Sequence, residues 1–207
     1  MRCLLVLPVV AGCASAGALH QVSLAGQCAE NDAACARRHP VAPLAIGTRF
    51  HPEVAADIAG SSTPTLHLES AAPDVLAVED GALVARQPGA SAVLISTDDG
   101  SVVDFVHVFV APVTRVSLAR RDGERVAGAI GLAVGEDLTL VPALWNDAQR
   151  LGGDADAVWT SSNESAVSVL RDGSSDRRRL RARAPGKSKV TVAVNGATAT
   201  VDVEVVP

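Results

Sequence analysis

Laid over itself, the second half of this 207-residue chain matches the first at four places, in the same order. Val22-Ser23-Leu24-Ala25 returns as Val116-Ser117-Leu118-Ala119, and Leu44-Ala45-Ile46-Gly47 as Leu132-Ala133-Val134-Gly135. Ala85-Arg86-Gln87-Pro88-Gly89-Ala90-Ser91-Ala92-Val93 returns as Ala182-Arg183-Ala184-Pro185-Gly186-Lys187-Ser188-Lys189-Val190, and Val103-Asp104 as Val201-Asp202. The spacings are 94, 88, 97 and 98 residues, so order is kept while loops change length. A repeat of this kind marks one structural unit used twice. It divides the chain into domains at 17–112 and 113–207, joined by Pro112-Val113-Thr114, a connection too short to allow much flexing.

Within each unit the local signals are short runs of period-two alternation between Gly, Asp and Asn. Leu138-Thr139-Leu140, Val167-Ser168-Val169, Val190-Thr191-Val192-Ala193-Val194 and Val201-Asp202-Val203-Glu204-Val205 each place apolar residues on one face. Asn195-Gly196, between two such runs, is a hairpin signal because both residues tolerate positive φ. Asp80-Gly81, Asp99-Gly100 and Asp172-Gly173 are further turn markers. Hydrophobic content is 48%, yet there are only two Trp, three Phe and no Tyr, so valine, alanine and leucine must fill the core. The chain reads as all-β, and roughly seven short strands in about 95 residues suit a two-sheet sandwich.

The second unit resembles the bacterial Ig-like domain of group 2, the module found in tandem in invasin- and intimin-type surface proteins. The resemblance runs from about Val113 to Val206. It is carried by Val116-Ser117-Leu118, Leu132-Ala133-Val134-Gly135-Glu136, Val158-Trp159-Thr160-Ser161-Ser162-Asn163, Ala166-Val167-Ser168-Val169 and Ala182-Arg183-Ala184-Pro185-Gly186. It implies two tandem Ig-like β-sandwiches, and makes Trp159 a core residue covering apolar area between the sheets. The first unit is a more divergent copy, with Leu68-Glu69-Ser70 in place of Trp159-Thr160-Ser161 and an insertion, Gly26 to Pro43.

At the start of the chain, Arg2 precedes the apolar run Leu4 to Val10, which gives way to Ala11-Gly12-Cys13. That is the layout of a secretory signal; the run falls short of the roughly 20 residues of a membrane-spanning helix. Val10-Ala11-Gly12-Cys13 resembles the bacterial lipobox, in which the cysteine is acylated and becomes the new N-terminus. The expected layout is a signal peptide at 1–12, lipid on Cys13 and a short tether at 13–16. Two or three acyl chains anchor stably where one is marginal. Ala14, which is not Asp, points by the same resemblance to the outer membrane of a Gram-negative cell. Cys28 and Cys35 remain, and an even pair in an oxidising compartment reads as a disulfide. A metal site with His20 or His39 is the alternative, although the spacing is not that of a zinc knuckle.

No catalytic constellation, cofactor motif or phosphate loop stands out: the histidines are scattered, and no serine lies in a Gly-x-Ser-x-Gly context. A non-enzymatic module is expected. His67 and His107 read as structural or solvated strand residues, and Asp98-Asp99 and Asp154-Ala155-Asp156 offer too few spaced oxygens for calcium. If Leu138, Leu140 and Leu144 point inward, Trp145 points outward, as a partly covered side chain or a ligand platform.

Charge is uneven. Residues 13–112 hold 4 Lys and Arg against 11 Asp and Glu, a net of −7, while 113–207 hold 13 against 12. Arg177, Arg178, Arg179, Arg181, Arg183, Lys187 and Lys189 make a basic run, with Arg179, Arg181 and Arg183 on one face and Leu180, Ala182 and Ala184 on the other. Such a stripe would attract an acidic glycan or protein of the cell envelope, or would serve only to keep an edge strand soluble. Nucleic acid is a poor fit, because no aromatics interleave with the arginines. Three roles therefore stand: a surface protein that binds or scaffolds an envelope component, an adhesive or carbohydrate-binding module, and a rigid spacer.

Overall fold

The computed structural model describes residues 22–26, 42–56, 65–172 and 174–207. The signal peptide, Cys13, Cys28 and Cys35 lie outside the described residues. No helix among the described residues is long and apolar enough to cross a membrane.

The first half contains β1 (Val22–Gly26), β2 (Leu44–Ala45), β3 (Arg49–Phe50), β4 (Pro52–Ala56), β5 (Leu66–Ser70), β6 (Leu76–Glu79), β7 (Ala82–Ala85), β8 (Gly89–Thr97) and β9 (Val102–Ala111). One sheet runs β2-β9-β8-β5; facing it are β3-β7-β6 and the pair β1-β4. The second half contains β10 (Arg115–Arg120), β11 (Ile130–Ala133), β12 (Asp137–Asn146), β13 (Gln149–Arg150), β14 (Val158–Ser161), β15 (Val167–Asp172), β16 (Ser174–Ala182), β17 (Gly186–Val194) and β18 (Ala197–Val206). Its sheets run β11-β18-β17-β14 and β10-β12-β16-β15, with β13 paired to β12. The two halves share one topology. In each, a short strand pairs parallel with the last strand (Leu44 with Val110, Leu132 with Val205), and the other ladders are antiparallel. Each half is an immunoglobulin-like sandwich.

Alternation builds the layers. Along β17 and β18, Val190, Val192, Val194, Val201, Val203 and Val205 are buried, while Lys187, Lys189, Thr200, Asp202 and Glu204 point out. The hairpin between them turns on Asn195 (φ 49°) and Gly196 (φ 81°), the conformation expected of that dipeptide. Asp80-Gly81 does the same between β6 and β7. Leu68 packs against the first core where Trp159, on the corresponding strand, packs against the second. The smaller Leu leaves the first core, centred on Leu44, Leu76, Leu83, Val93 and Val108, almost wholly aliphatic.

The sandwiches meet along a seam far from the linker in sequence. Ala45 N donates to Gly152 O (3.0 Å) and Gly152 N to Pro43 O (2.8 Å). Arg49 N donates to Asp154 O (3.1 Å) and Asp154 N to Arg49 O (2.7 Å). Ala45 is fully buried and belongs to the second domain's core cluster. The amide of Asn195, at the tip of the β17–β18 hairpin, donates to Ile46 O. The linker is also held: Thr114 N donates to Trp145 O (2.8 Å), and Asn146 Nδ2 to Pro112 O (3.1 Å).

Candidate functional site

The basic run was the main binding candidate, and the structure takes it apart. Arg177, Arg178, Arg179 and Arg181 lie on β16, whereas Lys187 and Lys189 lie on β17 in the opposing sheet. Of the stripe expected at Arg179, Arg181 and Arg183, the first two lie on β16, and Lys187 and Lys189 do not extend it. The chain crosses from one sheet to the other through Arg183-Ala184-Pro185, so residues adjacent in sequence face opposite sides of the sandwich. Arg183 is exposed at that crossing, as is Ala184, which lies past the end of the strand and no longer alternates.

On β16, Leu180 and Ala182 are buried, and Arg179 and Arg181 lie on the outer face. Asp137, opposite Arg181 on β12, is 3.3 Å from Arg181 Nη1 and 3.6 Å from Arg179 Nη1. At these exposed positions such pairs are worth only about 0–1 kcal/mol, yet they set part of the positive charge against a carboxylate. Arg178 has the same parity as Leu180 and is only 8% exposed, so it does not belong to an outer patch. Its Nη1 donates to Arg177 O at 2.7 Å. Lys187 is paired with Glu204 at 3.4 Å, and Lys189 stands opposite Asp202 in the ladder.

Trp145 lies on the outer side of β12, half-buried, with its neighbours Arg115 and Arg150 on the flanking strands. The Arg115 guanidinium sits 4.6 Å from the ring centroid and that of Arg150 5.5 Å, while Nε1 donates to Ser117 Oγ at 2.9 Å. Cation–π contacts of this kind are worth about 0.5–1 kcal/mol each at exposed sites. They occupy the ring that a stacking ligand would need. Trp159 is half-buried and packs against the second core, between exposed Val158 and Thr160.

His67 Nε2 lies 2.6 Å from Asp98 Oδ1, and that hydrogen bond holds the exposed Asp98 carboxyl below its ordinary range. Asp99 accepts from Thr97 Oγ1 (2.6 Å) and Ser101 N (3.0 Å), which lowers its carboxyl as well. Both carboxylates are thus engaged in shaping the β8–β9 turn. Among the described residues no three His, Cys, Asp or Glu side chains converge as a metal site would need.

One repeated device escaped the sequence reading. Ser188 is 4% exposed, and its hydroxyl meets Ser161 Oγ at 2.8 Å and accepts from Asn163 N at 3.1 Å. In the first domain Ser91, 3% exposed, meets Ser70 Oγ at 2.8 Å and accepts from Ala72 N at 3.0 Å. Ser91 and Ser188 hold equivalent places in the repeated Pro-Gly block, and Ser70 and Ser161 end the corresponding strands β5 and β14, which was the available signal: small polar residues recurring at equivalent strand positions. Each hydroxyl satisfies an amide just past the end of β5 or β14. Ser188→Ala should therefore cost about 1–3 kcal/mol by stranding the Asn163 amide. Urea unfolding of the variant checks this, and a midpoint equal to wild type would refute the role.

No protein-family model matches the chain, and no curated protein matches it. Among solved structures, domains 4 and 5 of the S-layer protein SbsC are similar over 90% of this chain and 98% of theirs, at 15% identity and a TM-score of 0.39. The Escherichia coli adhesin FdeC is similar over 79% of this chain and 60% of its own, at 15% identity and a TM-score of 0.36. A C-terminal fragment of intimin, solved with the intimin-binding domain of its translocated receptor, is similar over 59% of this chain and 42% of its own, at 18% identity and a TM-score of 0.32.

Proposed function

We propose that the chain is a non-enzymatic envelope lipoprotein, held on a membrane by lipid on Cys13, whose two sandwiches form a stiff scaffold for another protein or glycan of the cell envelope. The observation that carries the scaffold reading is the seam between the domains. Four backbone hydrogen bonds from Pro43, Ala45 and Arg49 to Gly152 and Asp154, with Ala45 buried in the second core, fix one sandwich against the other. A chain that only needed to tether two binding units would not require them. Adhesion through the basic run is less favoured, because that run is divided between two sheets and partly paired with Asp137 and Glu204.

Support for the anchor is the Val10-Ala11-Gly12-Cys13 sequence, and the resemblance of the second unit to group 2 bacterial Ig-like domains supports a place on the cell envelope. From Cys13 to Val22 is nine residues, at most about 30 Å of extended chain. The acidic first domain then lies next to the membrane, at the outer membrane of a Gram-negative cell by the Ala14 rule.

Cys13→Ser tests the anchor. The wild-type protein is expected in the membrane pellet, incorporating labelled fatty acid, and the variant in the soluble fraction without label. Retention of the variant on the membrane would sink this reading. Cross-linking in intact cells, followed by identification of the captured component, tests the scaffold role.

A further inference from the structure

Asn195-Gly196 is the only Asn-Gly pair in the chain. In that dipeptide a side-chain amide is readily lost to the following backbone nitrogen, because glycine has no Cβ to shield its N–H. Here the amide sits at the tip of the β17–β18 hairpin and belongs to the seam. The corresponding hairpin of the first domain, β8–β9, carries Asp98 and Asp99 at its tip, and their carboxylates are engaged by His67, Thr97 and Ser101 of the same domain. A carboxylate therefore serves at such a tip where its partners are donors. The second domain's tip carries an amide where its partner is a carbonyl.

Two features hold this amide away from the nitrogen that would displace it. Asn195 Nδ2 donates to Ile46 O, and the amide lies on Gly47, where a Cβ would stand 3.3 Å from Asn195 Oδ1 and 3.4 Å from Nδ2. The backbone, with φ 49° at Asn195 and 81° at Gly196, is that of a type I′ turn. In such a turn ψ of the first central residue is about +30°. That places the Gly196 nitrogen on the far side of the Cα–C bond from the Asn195 side chain. For the nitrogen to reach Cγ, the turn must rotate about that bond and the amide must leave Ile46. Closure of the seam and cyclisation at Asn195 thus exclude each other, although Asn195 is otherwise exposed to water.

We propose that Asn195 is a site of spontaneous deamidation, gated by the seam, and that its deamidation releases the seam. In the open state the Gly196 nitrogen gives its proton to water and attacks Asn195 Cγ. The new C–N bond closes a succinimide ring while the Cγ–Nδ2 bond breaks, and Nδ2 takes up a proton and leaves as ammonia. Water then adds to either ring carbonyl and breaks its bond to the Gly196 nitrogen, giving aspartate or its β-linked isomer. One water is consumed and one ammonia released, with no change of oxidation state and no co-reactant beyond water.

The product reverses the contact. An ionised carboxylate only accepts hydrogen bonds, so it meets the Ile46 carbonyl as a second acceptor where a donor had stood. The β-linked isomer also inserts a backbone carbon into the turn, which the I′ geometry cannot hold. What remains of the seam is its backbone bonds from Pro43, Ala45 and Arg49 to Gly152 and Asp154. Because the ammonia departs, the seam does not recover: a stiff pair of sandwiches becomes a hinged one, once, at a rate set by how often the seam opens. The inference needs the seam and nothing of the lipid or of what the sandwiches hold.

Peptide mapping by mass spectrometry of the full chain, aged at mildly alkaline pH, measures conversion of Asn195. Hydrogen exchange of the Ala45 amide, which is fully buried and donates to Gly152 O, measures opening of the seam in the same samples. Conversion should be at least about tenfold slower in the folded chain than in the chain unfolded in urea. Gly153→Val should speed Ala45 exchange and Asn195 conversion in step. Asn195→Asp, which installs the product directly, should speed Ala45 exchange by about tenfold and leave exchange of the Val93 and Leu180 amides, one in each core, unchanged. Equal conversion in folded and unfolded chains overturns the gate, as do exchange and conversion that move out of step in Gly153→Val. Wild-type exchange at Ala45 in Asn195→Asp overturns the release.

Discussion

Gly153→Val is expected to separate the two sandwiches while leaving each folded. Gly153 has φ +94°, a conformation that costs an L-residue about 1–2 kcal/mol. A Cβ there would lie 2.1 Å from Thr48 Oγ1 and 2.7 Å from Thr48 Cβ. Thr48 has no room to yield: it is fully buried, and its hydroxyl donates to Ala45 O at 2.7 Å. Overpacking of this kind adds about 1–3 kcal/mol. The seam's four backbone hydrogen bonds contribute about 0.5–1.5 kcal/mol each, so strain and seam are of the same size. The seam opens before either core does. The measurable result is a change from one cooperative thermal transition to two, with NMR relaxation showing the halves tumbling at different rates. A single transition with unchanged relaxation would mean that the domains are not coupled through this contact.

Leu180→Ala is expected to destabilise the second domain by about 2–5 kcal/mol, the range for a fully buried leucine. Leu180 is 0% exposed, lies opposite Leu138 on β12 and Val169 on β15, and belongs to the second core. For a domain of this size that is a drop in Tm of about 10–30 °C, against a total stability of about 5–15 kcal/mol. Its neighbours Arg179 and Arg181, changed to Ala, should each cost less than about 1 kcal/mol, because their pairing with Asp137 is exposed. Calorimetry of the three variants separates these cases. Equal losses would mean that the arginines, and not the apolar alternates, hold β16 in place.

Much of the fold was legible from the residues because the information is local and written twice. Alternating Val190-Thr191-Val192 and Val201-Asp202-Val203 declare which face is inward, and Asn195-Gly196 declares the turn between them. Ser91 and Ser188 lay in plain view inside a repeated block, yet were passed over because a serine's role depends on the amide it meets, here Ala72 or Asn163. How the basic run is divided in space was hidden for a related reason. Arg183 to Lys187 looks continuous along the chain, but Pro185-Gly186 lies where the strand leaves one sheet for the other, and Arg178 shares the inward parity of Leu180.

What the sequence by itself determined is that each half is a run of short strands with tight turns, and the inward or outward parity of many strand residues, since period-two alternation and turn chemistry act between near neighbours. Tertiary structure alone decided which outward residues meet. Asp137 reaches Arg179 and Arg181, Arg115 and Arg150 cover Trp145, and Thr48 closes on Gly153, all across separations that no local pattern encodes. Register between distant strands sets those meetings. The same register reveals that the face carrying Lys187, Lys189, Asp202 and Glu204 in one domain carries Ala90, Ala92, His107 and Phe109 in the other.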